Sequence, residues 1–177
     1  MTGTAQTGDT GGRPTSGGAG PQDDGGQKVK PKTDRPIYQA RIYQLSNLET
    51  AEVTVNGKTF RLWVMDTDAK RSEGMMYLED QDFKDDEGMV FAFRTEEPRK
   101  FWMRNTKVDL DICYCDKNGK ILNTYTMKSF DETSDYSSAG PSQYVIELKA
   151  GALKKHGIKD GMTFKIPKSV VSKDSGG

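Results

Sequence analysis

The clearest structural signal in the sequence is AEVTVNGKTFRLWVM, residues 51–65. Apolar side chains alternate with polar ones on both sides of its centre: Val53, Val55, then Phe60, Leu62 and Val64. Such alternation is typical of a strand with one buried face. Asn56-Gly57 lies at the centre, and Asn-Gly is the preferred two-residue hairpin turn because both positions take positive φ. The stretch therefore predicts a β-hairpin.

Further strand signals lie on either side of this hairpin. We expect strands at ARIYQL (40–45), MVFAF (89–93), KFWM (100–103), LDICYCD (110–116), ILNTYTM (121–127), YVIELKA (144–150) and TFKI (163–166). Many short strands with turn residues between them predict a mainly β, β-rich α+β fold. We expect one small antiparallel domain, resembling a barrel or a sandwich, with one or two short helices.

Two segments have helical signals. Asp66, Thr67 and Asp68 offer N-cap oxygens before AKRSE, and Gly74 is placed to end that helix. A helical turn is expected from Gly151 to His156. The long polar segment 129–142 predicts a loop that is either functional or mobile.

The chain divides by composition into three parts. Residues 1–36 are rich in Gly, Thr, Pro, Ser and Asp, which predicts a disordered linker. Residues 37–168 form the predicted domain, and 169–177 a flexible tail. No signal peptide is visible, yet the linker is typical of a tether behind a removed signal or lipid anchor. We therefore expect an extracytoplasmic protein, periplasmic, cell-surface or secreted, that meets the membrane only through that anchor.

The composition disfavours several function classes. Basic and acidic residues number 26 each, which argues against a nucleic-acid partner. No apolar run approaches the ~18 residues of a membrane-spanning helix. Cys113 and Cys115 are two apart in a predicted strand, too far apart for an unstrained disulfide, and we expect both in the core. With His156 as the only histidine, and expected at the surface, we predict no metal or cofactor.

The first candidate site is RKFWMRNTKVDLD, residues 99–111. Its large aromatic and sulfur side chains beside polar turn residues are typical of a ligand cleft: Phe101, Trp102, Met103, Asn105 and Thr106. The alternative interpretation is structural. Phe101 and Met103, which alternate with Trp102, then face the core, and Asn105 and Thr106 only build the turn.

The second candidate site is a set of ionisable residues beside apolar runs: Arg71, Asp111 and Glu147. If Glu147 is buried in its strand, its charge must be paired or its pKa raised. We expect Arg71 to be its partner, because a guanidinium can bind a carboxylate with two hydrogen bonds. The alternatives are a structural salt bridge and a polar functional pocket.

Five ordered segments resemble the family called domain of unknown function 192 (DUF192): EGMMYL, DDEGMVFAF, FWMRNTKVDLDICYCDKNGKI, YVIELKAG and HGIKDG. The resemblance covers roughly residues 50–166, and FWMRNT is its most distinctive part. The sequence departs from the family pattern at Met75, Arg104, the two cysteines and the turn after Gly161. The resemblance implies a compact, mostly β domain, often behind a secretion or lipoprotein signal, without an established activity.

Three function hypotheses follow. The first is a monomeric ligand-binding or interaction module, with a cleft near Trp102 and Asn105, for an unknown small molecule, sugar or peptide. The second is an enzyme that uses Asp111 and Glu147 as acid and base, with Arg71 orienting an anion. The third and weakest is a nucleic-acid binder, which rests only on local basic runs such as KVKPK (28–32).

Overall fold

The computed structural model describes residues 40–175, so the predicted linker 1–36 lies outside the described range. The elements are β1 (Thr50–Val55), β2 (Lys58–Met65), α1 (Asp68–Glu73), β3 (Glu87–Glu97), β4 (Lys100–Phe101), β5 (Leu110–Cys115), β6 (Ile121–Met127), β7 (Tyr136–Ser137), β8 (Ser142–Lys149) and α2 (Ala152–His156). Short 3₁₀ turns occur at Leu45–Asn47 and Asp80–Asp82. The prediction of a mainly β fold with one or two short helices is confirmed, and the structure has two. Neither α-helix of the described range is long and apolar enough to cross a membrane.

Six strands form one open sheet in the order β1-β2-β3-β8-β5-β6, and β4 pairs with β7 in a small second sheet. The large sheet does not close, so the barrel form of the prediction is not adopted. It is also mixed, because β2 and β3 are parallel while the other pairs are antiparallel. Parallel neighbours need a crossover connection, and the segment containing α1 supplies it.

The predicted hairpin and the predicted helix ends are confirmed. Asn56 and Gly57 both have positive φ, 48° and 76°, between β1 and β2. Thr67 caps α1 by accepting a hydrogen bond from the backbone N of Lys70, and Gly74 ends the helix with φ of 47°. The turn preference of Asn-Gly and the helix-capping residues therefore correctly predicted the backbone before and after β2.

Side chains that alternate along each strand bury both faces of the large sheet. The first core, on one face, includes Phe60, Leu62, Val90, Cys113, Cys115, Ile146, Leu148 and Phe164. The second core, on the other face, includes Trp63, Met65, Met75, Met89, Phe91, Met103, Ile112, Tyr114 and Val145. Both cysteines are free and buried, as predicted.

Three predicted strands differ from the structure. Residues 40–45 form no strand, because the backbone N–H groups of Ile42 and Tyr43 donate to the Glu73 carboxylate instead of to a neighbouring strand. The strand predicted at 100–103 ends at Phe101, where the chain enters a turn. At 163–166 only isolated bridges form, Lys120 with Thr163 and Thr54 with Lys165.

The segment 169–175, predicted as a flexible tail, contacts the domain in the structure. Val170 is buried in the first core. The backbone N of Lys173 donates to the carbonyl of Asp66 at 2.7 Å. Asp174 binds Arg71, with 2.5 Å between carboxylate oxygen and guanidinium nitrogen. The mostly polar composition of this segment gave no signal from which these contacts could be predicted.

Candidate functional site

A cavity of about 250 Å³ opens on the second-core side of the sheet. One wall is α1 and the residues that follow it, up to Met76. The other wall is formed by residues of the segment 100–106. Side chains of β3 and β8 complete it, namely Phe91, Phe93 and Glu147. The cavity is thus lined by residues of both candidate sites, the segment 99–111 and the ionisable set that includes Glu147, together with the end of α1.

The wall after α1 is held by buried polar contacts. Arg41 donates from Nη1 to the carbonyls of Gly74 and Met76, at 3.0 and 2.5 Å. Its guanidinium also lies 3.4 Å from the Glu73 carboxylate. A Cβ at Gly74 would lie 3.4 Å from the ring of Phe91, so the glycine permits a close approach as well as positive φ. The segment is therefore fixed from both sides.

The opposite wall is a tight turn, and Asn105 joins it to the first wall. The backbone N of Thr106 donates to the carbonyl of Met103 at 3.1 Å. Asn105 has φ of 54°, and its side-chain amide donates to the Tyr77 hydroxyl at 3.1 Å. In return the backbone N of Tyr77 donates to the Asn105 carbonyl at 2.9 Å. Asn105 does not line the cavity, so its observed role is to hold the two walls together.

The FWM segment separates into three environments. Trp102 is 56% exposed and Met103 is fully buried. Phe101 is half-buried and packs edge-to-face against Phe91, with 5.0 Å between ring centroids. Trp102 and Phe101 line the cavity together with Thr106. Met103 belongs to the core, as the structural interpretation proposed for it.

Arg71 reaches the cavity from α1 but does not pair with Glu147. Its guanidinium donates to the Ala92 carbonyl at 2.9 Å and to the Asp174 carboxylate at 2.5 Å. It also stacks on Phe93, 4.8 Å from the ring centroid. Among the described residues its buried Nε has no hydrogen-bond partner. The predicted Arg71–Glu147 pair is therefore wrong, because a carboxylate from the C-terminal segment occupies the guanidinium.

Glu147 lines the cavity from β8, between Met89 of β3 and Ile112 of β5 in the strand register. The residue is 4% exposed. No hydrogen bond or ion pair connects its carboxyl group to any described residue. Burial raises the pKa of this group to about 8. Two outcomes were predicted for a buried Glu147, a paired charge or a raised pKa, and the second is found.

Asp111 lies away from the cavity. Its carboxylate accepts hydrogen bonds from the backbone N–H groups of Gly151 and Leu153, at 2.9 and 3.0 Å, and from the Thr126 hydroxyl at 2.7 Å. It therefore fixes the start of α2 on the first-core side. Because Ile112 is the β5 partner of Glu147, the side chain of Asp111 projects from the opposite face. The fold does not bring these two carboxyl groups into one pocket.

Several cavity residues were not predicted: Glu73, Met75, Phe91, Phe93 and Lys100. Glu73 and Met75 flank Gly74, so the helix-ending glycine was a usable signal for them. Phe91 and Phe93 read only as strand residues. No group of three or more His, Cys, Asp or Glu side chains in residues 40–175 could hold a metal ion.

Comparisons with known proteins agree with the predicted family. The model of DUF192, described as "Uncharacterized ACR", matches residues 51–166. A crystal structure of a protein of unknown function from Novosphingobium aromaticivorans DSM 12444 is 30% identical with a TM-score of 0.64, over 75% of this chain and 98% of that one. A crystal structure from Sinorhizobium meliloti 1021, described as a "putative transcription regulator", is 29% identical with a TM-score of 0.61, over 67% and 95%.

No curated protein matches the chain. The family match covers the hairpin, the segment FWMRNT and the strand that carries Glu147, and so includes most of the cavity. Two solved structures share the fold over nearly their whole length. The chain therefore belongs to the DUF192 family of uncharacterised proteins.

Proposed function

We propose that this domain is a ligand-binding module and that the cavity between α1 and the segment 100–106 is its binding site. The observation that carries the proposal is Glu147, a carboxyl group in a nearly buried residue that faces the cavity without a partner among residues 40–175. Buried polar groups are normally hydrogen-bonded, and leaving one unpaired costs free energy. A bound ligand that supplies the missing partner accounts for this arrangement.

The walls support the same proposal. Methionine and aromatic side chains provide most of the apolar lining, namely Met75, Met76, Phe91, Phe93, Phe101 and Trp102. Ligand sites in proteins are typically apolar concavities with a few convergent polar groups. A volume of about 250 Å³ lies below the usual range for drug-sized ligands, roughly 300–1,000 Å³. The ligand is therefore a small molecule, a single sugar unit or one side chain of a peptide.

A thermal-shift screen with metabolites, monosaccharides and short peptides tests the proposal. Trp102→Ala is the diagnostic variant, and Phe130→Ala is its matched control. Both side chains are similarly exposed, 56% and 59%, but only Trp102 lines the cavity. We expect a ligand that stabilises the wild type and Phe130→Ala but has a reduced effect on Trp102→Ala. Equal shifts in both variants would place the binding elsewhere.

We also propose an extracytoplasmic location for the protein. The support is the composition of residues 1–36, which suits a tether between an anchor and a domain. Fractionation of the source organism with an antibody against the domain 40–175 tests it. We expect the protein in the periplasmic, surface or culture fraction. Recovery with a cytoplasmic marker enzyme would refute this part of the proposal.

A further inference from the structure

The two basic side chains that line the cavity already have acidic partners in the chain. Arg71 is bound by Asp174 at 2.5 Å, and Lys100 lies 3.3 Å from the carboxylate of Asp135. Both cations therefore already have carboxylate partners within the chain. A ligand anion would have to compete with those partners for either cation.

The acidic side chains are not matched in the same way. Glu73 is held by Arg41 at 3.4 Å and by two backbone N–H groups. Asp68 has a side chain that is 92% exposed and lies 3.7 Å from Arg71. Within the described part of the chain, Glu147 is the one ionisable side chain of the cavity lining that has neither an ion-pair or hydrogen-bond partner nor free access to bulk water. Among the described residues the Arg71 Nε is also unpaired, but Asp174 already neutralises that guanidinium, so the ionised form of Glu147 is the charge that a ligand would balance.

The surrounding rings favour such a charge. Phe91 and Phe101 line the cavity, and Trp102 lies at its exposed edge. A cation near an aromatic face is attracted by the negative face of the ring, and more strongly when it is desolvated. An ammonium group on Glu147 would also restore the charge balance that makes a buried carboxylate tolerable.

We propose that the cavity binds an organic ammonium group, with the ammonium on the Glu147 carboxylate and its alkyl chain along the methionine and aromatic walls. This inference rests on the proposed function and specifies its ligand class. The shared chemistry is an alkylammonium, either of a free primary amine or of a lysine side chain in a peptide.

Proton release follows from the proposal. An ammonium binds the ionised carboxylate, but burial keeps Glu147 protonated at pH 7 because its pKa is about 8. Binding therefore expels close to one proton per ligand at neutral pH. The affinity should rise about tenfold between pH 6 and pH 7, level off above pH 8, and fall when the ligand amine loses its own proton near ~10.4.

Several other ionisable groups lie near Glu147 on the elements that pack around it. They are Asp68, Arg71 and Glu73 of the α1 wall, Lys100 of β4 and Tyr114 of β5. Burial, with the nearby Glu147 charge, raises the pKa of Tyr114 well above its usual value. Tyr114 therefore stays neutral from pH 6 to pH 8, and Glu147 is the group expected to titrate in that window.

Isothermal titration calorimetry tests the inference with n-butylamine and with N-acetyl-Gly-Lys-Gly-amide, whose only amine is that of the lysine side chain, so the two probes separate the two sources of the ammonium. Butan-1-ol and butyrate serve as neutral and anionic probes of the same chain length. Titrations at pH 6, 7 and 8 in phosphate and in MOPS, whose ionisation enthalpies differ, count the protons released without adding a competing primary ammonium. We expect amine or lysine binding with proton release, and at least tenfold weaker binding of both control probes.

Glu147→Gln is the diagnostic variant, and Glu52→Gln is its control, because Glu52 is an exposed glutamate on β1. We expect at least a tenfold loss of ammonium affinity in the first and no change in the second, with both folded by circular dichroism. If butan-1-ol or a neutral metabolite binds as tightly, with an affinity sensitive to Trp102→Ala, the site stands and the ammonium assignment fails. If no probe of any charge binds the cavity, both proposals fail.

Discussion

Asp111 and Glu147 lie on neighbouring strands, β5 and β8, but their carboxyl groups project from opposite faces of the sheet. The two buried carboxyl groups also differ in the hydrogen bonds that they accept. Asp111 accepts three hydrogen bonds, whereas Glu147 accepts none from the described residues and faces a cavity. Two carboxyl groups on opposite faces of a sheet do not share a pocket, so Asp111 has a structural role and only Glu147 faces the cavity.

Asp111→Ala should lower the free energy of unfolding by about 2–3 kcal/mol, because two backbone N–H groups and the Thr126 hydroxyl lose their acceptor inside the protein. Urea denaturation measures the loss. Ligand binding by the remaining folded protein should not change. A stability like that of the wild type would contradict the capping role of Asp111.

Glu147→Gln should remove a pH dependence of stability. Burial raises the pKa of Glu147 from 4.5 to about 8 in the folded state. Between these values the folded protein keeps a proton that the unfolded chain loses, so the free energy of unfolding falls as pH rises. The wild type should lose about 1.4 kcal/mol per pH unit relative to the variant between about pH 5 and 8. Urea curves at four pH values measure the difference, and parallel pH profiles would contradict it.

Trp102→Ala and Met103→Ala should differ sharply although the residues are adjacent. Trp102 is 56% exposed, whereas Met103 has no exposed surface. We expect a loss below about 1 kcal/mol for the tryptophan and about 2–5 kcal/mol for the methionine, whose removal leaves a core cavity. Thermal or urea denaturation of both variants measures this. Similar losses would mean that the turn is packed differently.

Asp174→Asn should destabilise the protein by about 1–2 kcal/mol, because it leaves the nearly buried Arg71 guanidinium without its closest counter-charge. Asp68→Asn is the matched control. Asp68 also faces Arg71, at 3.7 Å, but its side chain is 92% exposed, and such pairs contribute less than about 1 kcal/mol. Equal effects of the two substitutions would show that the C-terminal contact is not specific.

Gly88→Ala should prevent normal pairing of β3 with β8. A Cβ at this position would lie 2.2 Å from the carbonyl oxygen of Glu147, so the backbones would have to move apart. We expect a loss above about 3 kcal/mol or an insoluble product. Gly140→Ala, where nothing lies within 4 Å of the added atom, should change stability by less than about 1 kcal/mol. Chemical denaturation compares the two.

Local chemistry predicted the elements that depend on few residues. The Asn56-Gly57 turn and the start and end of α1 follow from φ preferences and side-chain caps that lie within a few residues. The direction of β3 relative to β2 does not, because alternation of side chains is the same in parallel and antiparallel pairs. The sheet was therefore predicted as antiparallel, and one of its five pairings is parallel.

The candidate site was predicted in part for a related reason. Phe101, Trp102 and Thr106 were identified together with Glu147, and the structure brings them to one cavity, whereas Met103 and Asn105 of the same segment do not line it. The faces of Asp111 and Glu147 depend on the β5–β8 register, which joins residues over 30 positions apart. The partner of Arg71 lies 103 positions along the chain, in a segment without any apolar pattern. No spacing rule connects such positions.

The contrast between the chain's two tryptophans has a practical consequence. Trp63 is buried in the second core, and Trp102 is exposed beside the cavity. Iodide, a water-soluble quencher, can therefore collide with one indole and not with the other. The quenchable part of the intrinsic fluorescence belongs to Trp102 and the resistant part to Trp63. Ligand binding in the cavity should therefore change the iodide quenching of Trp102 in the unlabelled protein. The emission of Trp63 serves as the internal reference.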